Sequence, residues 1–497
     1  MIEFMQHFIV NWLYLHMIII IIFLVFFLRK YQKVILSDLM KNKFYYLLLI
    51  VIFLIGFSVR FVNTVNWQHI IQDSQEYIVQ AAMISDLGVF RYIHDAPSFS
   101  VILSTLIKLS GYNPSLGSLL NIIFGSLSII LIFIFVKLTF KNKIAAIVSS
   151  VLLAFSNLHY DISLSGTPIS LSIFFMLLMM IMLEVIIQSK QYSWLYFLGV
   201  ILGFASQIYY IELILVVPIV FYLILVTGFK RKLIIQTGIF LVILLISITP
   251  FAILQYNTEF AESVAGSDMT YQPEGINNVI CLWFKKKCGF VKLSSVIKHP
   301  SPAVNSFDSG FFSYFTYLFL GEGRGYIEKF SPISVFYNDP YNNNRVYVSY
   351  LFLFLIGIFA MRNKTKKLLY LLSIFFLFFW FYSSYSLQIF LSMARLEALI
   401  IIPFIAYGIS YITYLLLNHK YNYMRIALII LLVSVIISPF FTGEHISLYS
   451  DYSIFSETND VSVKHWWGSL ECGYPYVLLI NYCKIINYKL SAEGVGK

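Results

Sequence analysis

Charged side chains make up only 12% of this sequence, against 59% hydrophobic residues and a mean hydropathy of +0.81. That shortage excludes an ordinary soluble globular chain, in which about a quarter of the residues are charged. Cysteine is sparse too, confined to Cys281, Cys288, Cys472 and Cys483. Neither neighbouring pair has CxxC spacing and no His-x-x-x-His accompanies them, so no zinc site is legible. Also missing are a helical repeat, a heptad run, a phosphate-binding Gly-rich loop, a GxSxG elbow and an HExxH motif. Any chemistry therefore rests on scattered polar groups.

What is present is a series of apolar runs of about 20 residues, the length that crosses a bilayer core as a helix. The chain reads as an all-α polytopic membrane protein. Its formal net charge of +10 would suggest nucleic acid in a soluble domain. In a membrane protein basic residues collect on cytoplasmic loops, so no nucleic-acid partner is expected. The first run, 8–28, has no basic region before it and no small-residue cleavage site after it, and Arg29 and Lys30 follow directly. It reads as a retained anchor.

Basic clusters orient the rest. Arg29, Lys30, Lys33, Lys41 and Lys43 surround the first connection, opposed only by Asp38, which places it in the cytoplasm. Spans are expected at 8–28, 44–62, 116–136, 144–158, 168–188, 194–209, 210–226 and 233–254. Four more start near positions 346, 368, 397 and 426, about twelve in all. The apolar run 98–110 is too short to cross and is assigned as a juxtamembrane helix. The expected organisation is an N-terminal anchor and cytoplasmic connection (1–43), a membrane core (44–254) with its first external loop at 67–110, a mixed external region (255–345), C-terminal membrane helices (346–443) and an external tail (444–497). About half of the 34 Lys and Arg residues fall in the short cytoplasmic segments, against a single acid. All four cysteines fall outside, where disulfides are permitted; three full pairings are open, with Cys281–Cys288 and Cys472–Cys483 preferred by proximity.

The most informative stretch is 67–98, the first long polar interruption. Tyr77, Ile78, Ala81, Ala82 and Ile84 form a helix-compatible apolar stripe that ends at Gly88, with Asp73 and Glu76 at its start. A carboxylate held at the membrane surface can serve as a general base for a lipid-borne reaction, or simply complement the helix dipole. Glu184 and Glu212 are acids in or near spans, the first close to a cytoplasmic end and the second close to an external one. Arg395 precedes an apolar span at its outer end, where a guanidinium either grips a lipid phosphate or snorkels to headgroups. Trp466 and Trp467 fit an interfacial pair.

WQHIIQDSQEYIVQAAMISDLG, AFSNLHYDISLSGTPISLSIFFMLL, LGVILGFASQIYYIELILVVP and ARLEALIIIPFIAYGI together resemble the GT-C fold of integral-membrane glycosyltransferases, in its protein O-mannosyltransferase-like and aminoarabinose-transferase-like branch. The resemblance spans roughly 44–254 and then 395–403. It implies a catalytic carboxylate at Asp73, with Tyr77 matching beside it, Glu76 nearby and Asp161 as a displaced acid of the second external loop; by their own positions Arg91, Glu212, Arg324, Arg345 and Arg395 are the candidate substrate-binding groups. The chain departs from the family pattern in three places: Thr167 precedes Pro168 where an acid is usual, Ala96 precedes Pro97 where the aminoarabinose transferases have Lys, and the first span is additional. The implied activity is inverting transfer of a sugar from a polyprenyl-phosphate donor to a lipid, glycan or protein acceptor, with the active site on the extracytoplasmic face of a cell inner or plasma membrane. No cofactor is required by that chemistry; a divalent metal held by Asp73, Glu76 and Asp161 is possible in principle but not indicated. The competing readings are a transporter or flippase of lipid-linked sugars and an O-antigen polymerase or ligase.

Overall fold

In hydrocarbon every backbone N–H and C=O must be satisfied within the segment, which leaves helices as the solution for single apolar runs. The computed structural model describes residues 2–66, 72–88, 97–113, 115–256, 345–383 and 395–418, and every regular element among them is helical. These residues belong to a single contact unit. The four cysteines, the expected span from 426, the tail and nearly all of the 255–345 region lie outside the described residues.

The elements are α1 (Ile2–Lys41), α2 (Lys43–Asn66), α3 (Gln72–Leu87), α4 (Pro97–Ser110), α5 (Leu116–Phe140), α6 (Lys143–Ala154), α7 (Asn157–Leu164), α8 (Ile169–Ser189), α9 (Leu195–Ala205), α10 (Val216–Thr227), α11 (Arg231–Tyr256), α12 (Arg345–Ala360), α13 (Thr365–Ser383) and α14 (Ile402–Asn418). A 3₁₀ segment, Tyr210–Leu215, leads into α10, and a π-helical turn, Glu397–Ile401, leads into α14. Among the described residues six helical stretches are long and apolar enough to cross a membrane: His7–Lys41, Lys43–Val62, Leu116–Phe140, Ile169–Ser189, Arg231–Pro250 and Ala398–Leu416.

Several elements differ from expectation. The first run does not stop at 28. α1 is one helix of 40 residues, about 60 Å long at 1.5 Å per residue, because nothing between Arg29 and Lys41 breaks it. The expected fourth span is instead two pieces, α6 and α7, separated at Phe155–Ser156. Ser156 has extended backbone and its hydroxyl accepts from the His159 N–H at 3.1 Å, starting a new helix where the old one would have continued. α9 and α10 are likewise shorter than full spans, with the irregular 206–215 stretch between them.

The core of the bundle is the packing of α5 on α8, flanked by α6, α9 and α2, with α9 against α11 and α12 against α14. One end collects cations. Lys137 of α5 pairs with Asp38 of α1, so the only acid of the short basic connections is neutralised there. Lys364 and Lys367 donate to the Phe140 and Thr139 carbonyls at the end of α5, where Lys141 turns left-handed (φ 54°). Burial and the neighbouring Lys367 and Lys141 hold the Lys364 ammonium below its ordinary pKa range. Lys367 also pairs with the fully buried Glu184 of α8 at 2.7 Å, and Tyr222 of α10 donates to the same carboxylate at 3.0 Å. The opposite end holds the starts of α5 and α8 and the end of α9.

Candidate functional site

The start of α8 is fixed by its local sequence. Gly166 takes φ +68°, a conformation costly for any residue with a Cβ, and a Cβ on Gly117 of α5 would stand 3.3 Å from the Gly166 carbonyl oxygen. The chain turns sharply there, Pro168 caps α8, and the run Ser170-Leu171-Ser172 enters the first turns with both hydroxyls buried. Ser172 lies twelve residues before Glu184 on α8, about 18 Å along the axis, so it belongs to the end away from the cations.

Two irregular segments meet Ser172. α9 ends at Ala205, and the chain passes through Tyr209 into the 3₁₀ turn that carries Glu212. Arg395 lies two residues before the π-helical turn. Within a membrane, non-α backbone is tolerated only where it is buried in protein or lines a water-filled cavity, and π segments recur at functional sites. Arg395 is fully buried; its Nε donates to Ser172 Oγ at 2.8 Å, and its guanidinium carbon lies 4.3 Å from the centroid of the Tyr209 ring. Glu212 is also fully buried, with the Arg395 charge and the Ser172 hydroxyl as its electrostatic neighbours. Among the described residues no donor occupies full hydrogen-bond geometry on either Glu212 carboxylate oxygen. A buried acid, a buried guanidinium and an aromatic face therefore converge from positions far apart in sequence, an arrangement suited to binding an anion or a hydroxyl-rich group.

The α3–α4 hairpin docks on this end. Tyr77, Ile78, Ala81, Ala82 and Ile84 are all buried, the Tyr77 ring meets Phe99 of α4 edge-on at 5.5 Å, and Ser100 donates to Gln80 Oε1 at 2.7 Å. α3 ends at Gly88 with φ +68°. The start of α4 reaches the end of α9: the Ser98 N–H donates to the Gln207 carbonyl and the Ser98 hydroxyl to the Phe204 carbonyl, each at 3.2 Å.

Of the residues singled out from sequence, Asp73 stands second and Glu76 fifth in α3, Asp161 stands fifth in α7, and Arg345 opens α12. Arg91 and Arg324 lie outside the described residues. Glu212 and Arg395 are brought together, while Tyr77 is packed within the hairpin. Sequence reasoning missed Ser172 and Tyr209, whose local surroundings look like ordinary span sequence. It also missed Arg60, a lone cation inside the apolar run of α2. Arg60 is fully buried and donates to Gly56 O (2.8 Å), Ala154 O (3.1 Å) and Leu153 O (3.4 Å), with His159 Nδ1 at 3.1 Å. It closes the break between α6 and α7, and an ionisable residue within a span was the available signal.

Among the described residues no group of three His, Cys, Asp or Glu side chains is arranged to hold a metal ion.

Residues 94–254, about a third of the chain, match the family described as dolichyl-phosphate-mannose-protein mannosyltransferase. No curated protein matches the sequence significantly. Among solved structures, the oligosaccharyltransferase AglB from the archaeon Archaeoglobus fulgidus, in complex with an inhibitory peptide and a dolichol-phosphate, aligns with a TM-score of 0.54 at 14% identity, covering 80% of this chain and 55% of that one. The apo form of the Archaeoglobus fulgidus oligosaccharyltransferase aligns with a TM-score of 0.50 at 12% identity, covering 81% and 55%. This chain thus spans about half the length of those proteins. The fold it shares with them is the GT-C fold of membrane glycosyltransferases.

Proposed function

We propose that this GT-C-fold chain is a membrane glycosyltransferase that moves a sugar from a polyprenyl-phosphate donor to a lipid, glycan or protein acceptor on the extracytoplasmic face. The observation that carries the reading is the buried meeting of Arg395, Ser172, Tyr209 and Glu212 at the end of the bundle on which the α3–α4 hairpin docks.

Asp73, at the start of α3, takes the proton from an acceptor hydroxyl or amine as that group attacks the anomeric carbon. The new bond forms as the bond from the anomeric carbon to the phosphate oxygen breaks, and its electron pair leaves with the lipid phosphate. Attack opposite the leaving group inverts the anomeric centre. Arg395 stabilises the charge developing on the phosphate, a differential contribution that lowers the barrier. Glu212 accepts hydrogen bonds from the sugar. Glu76 and Asp161 are further candidate acids, and Arg91, Arg324 and Arg345 further candidate cations, for holding the substrates. A lipid monophosphate leaves as a stable anion, so this chemistry requires no metal.

A second reading, transfer of an oligosaccharide to a peptide, is supported by the presence of the same fold in an oligosaccharyltransferase.

The deciding experiment compares sugar transfer from a radiolabelled polyprenyl-phosphate sugar pool by membranes carrying the native chain or Asp73→Asn, with expression and binding of polyprenyl phosphate checked in parallel. The expected result is a fall of at least about 100-fold in transfer with binding intact. Undiminished transfer by the Asn variant would sink the assignment of Asp73. Absence of transfer by the native chain from any donor would favour the flippase.

A further inference from the structure

The end of α9 faces two ways. On one side its terminal carbonyls receive the start of α4, through the Ser98 N–H on Gln207 O and the Ser98 hydroxyl on Phe204 O, each at 3.2 Å. The carbonyl end of one helix thus meets the amide end of another, so the orphan groups and the opposed partial charges of both ends are satisfied together. On the other side, two residues beyond Gln207, the Tyr209 ring lies beneath the Arg395 guanidinium.

What holds this joint is the Gln207 side chain. It is buried, and its Nε2 donates to Gly203 O at 2.9 Å, one turn back on α9, and to Ser247 O of α11 at 3.1 Å. The Ser247 carbonyl also accepts from the Trp12 indole of α1 at 3.2 Å. α9 and α11 approach so closely here that a Cβ on Gly203 would stand 2.3 Å from Ser247 Cβ. The amide therefore pins the unwinding end of α9 to a rigid wall made by α11 and α1. α4 is braced separately by Tyr14 of α1, whose hydroxyl lies 2.7 Å from Ser104 Oγ. α4 in turn grips α3 through Ser100 and Gln80.

We infer that Gln207 is a positioning residue: by fixing the end of α9, it sets the hairpin that carries Asp73 relative to the Arg395–Tyr209 pair. The link runs from Asp73 through α3, Gln80, Ser100 and Ser98 to the Gln207 carbonyl, then along two residues of backbone to Tyr209. The inference rests on the proposed transfer reaction for its catalytic consequence, though not for its structural one.

The test uses the full-length chain in lipid nanodiscs and the variants Gln207→Leu, Ser98→Ala and Ser98→Thr. Two quantities are read: kcat and donor KM for transfer from a polyprenyl-phosphate sugar, and amide hydrogen exchange by segment. Gln207→Leu is expected to lower kcat at least tenfold with donor KM within twofold, and to raise exchange in residues 97–110 while α5 and α8 stay protected. Ser98→Ala should act in the same direction and Ser98→Thr, which keeps the hydroxyl, should restore the native values. Exchange that rises equally in α5 and α8 would reduce Gln207 to a general core residue and overturn the inference. So would native exchange at 97–110 together with an unchanged kcat. If the native chain transfers no sugar, the proposed function fails, while the exchange pattern still decides whether Gln207 anchors the hairpin.

Discussion

The guanidinium of Arg395 stacks on the ring of Tyr209, 4.3 Å from its centroid, and is turned by a 2.8 Å hydrogen bond from Nε to Ser172 Oγ. These contacts use the plane of the guanidinium and one edge donor, features an ammonium lacks.

Arg395→Lys is therefore expected to keep the charge while losing the stack and the Nε bond. A stacked cation in a desolvated setting contributes on the order of 1–2 kcal/mol, so kcat should fall about tenfold or more, with a smaller rise in donor KM. Arg395→Met should in addition lower thermal stability, because the fully buried Ser172 hydroxyl loses its guanidinium donor. Steady-state kinetics and melting in the same membranes check both. An unchanged kcat in Arg395→Lys would remove Arg395 from the departing phosphate.

The ion pair at the other end should behave differently. Glu184 is fully buried and takes Lys367 at 2.7 Å, Tyr222 at 3.0 Å and Gln188 at 3.1 Å. Lys367→Ala leaves the carboxylate with hydrogen bonds and the Lys364 charge nearby but without its direct ion pair, at a cost of about 3 kcal/mol. A clear drop in melting temperature is expected, and transfer per folded molecule should stay native. A lowered kcat in the folded fraction would show that this end takes part in the reaction.

Metal dependence tests the monophosphate-donor reading. With a lipid monophosphate donor the leaving group is already a stable anion, so exhaustive EDTA treatment is expected to leave transfer within twofold of native. Loss of transfer on chelation, restored by added divalent cation, would instead indicate a metal-assisted departure and move the reading toward a diphosphate donor.

The acids in the apolar runs show how far sequence reaches. Glu184 and Glu212 have similar local surroundings, and both invite a functional reading. Their distance from the nearest basic cluster already separates them by membrane face, and the structure gives each its own partners. Lys367, 183 residues away, pairs with the first. The second shares its neighbours Arg395 and Ser172, and Arg395 bonds to Ser172 across 223 residues. Pairings at such separations leave no trace in helical periodicity, because period and capping report only on the nearest turns.

Local chemistry determined the helical class, the buried stripe of α3 and its stop at Gly88, the short helix beginning at Pro97, and the start of α8 after Pro168. Each follows from side-chain period, a cap or a fixed φ within a few residues. Only the tertiary structure decided that α6 and α7 are separate, that α9 unwinds into the turn bearing Glu212, and that Ser172, Tyr209, Glu212 and Arg395 face one another. In a bilayer any sufficiently apolar run is stable as a helix on its own. Where it breaks, and which polar groups it turns inward, depend on the partners that satisfy the freed backbone and the buried charge, and those arrive from distant parts of the chain.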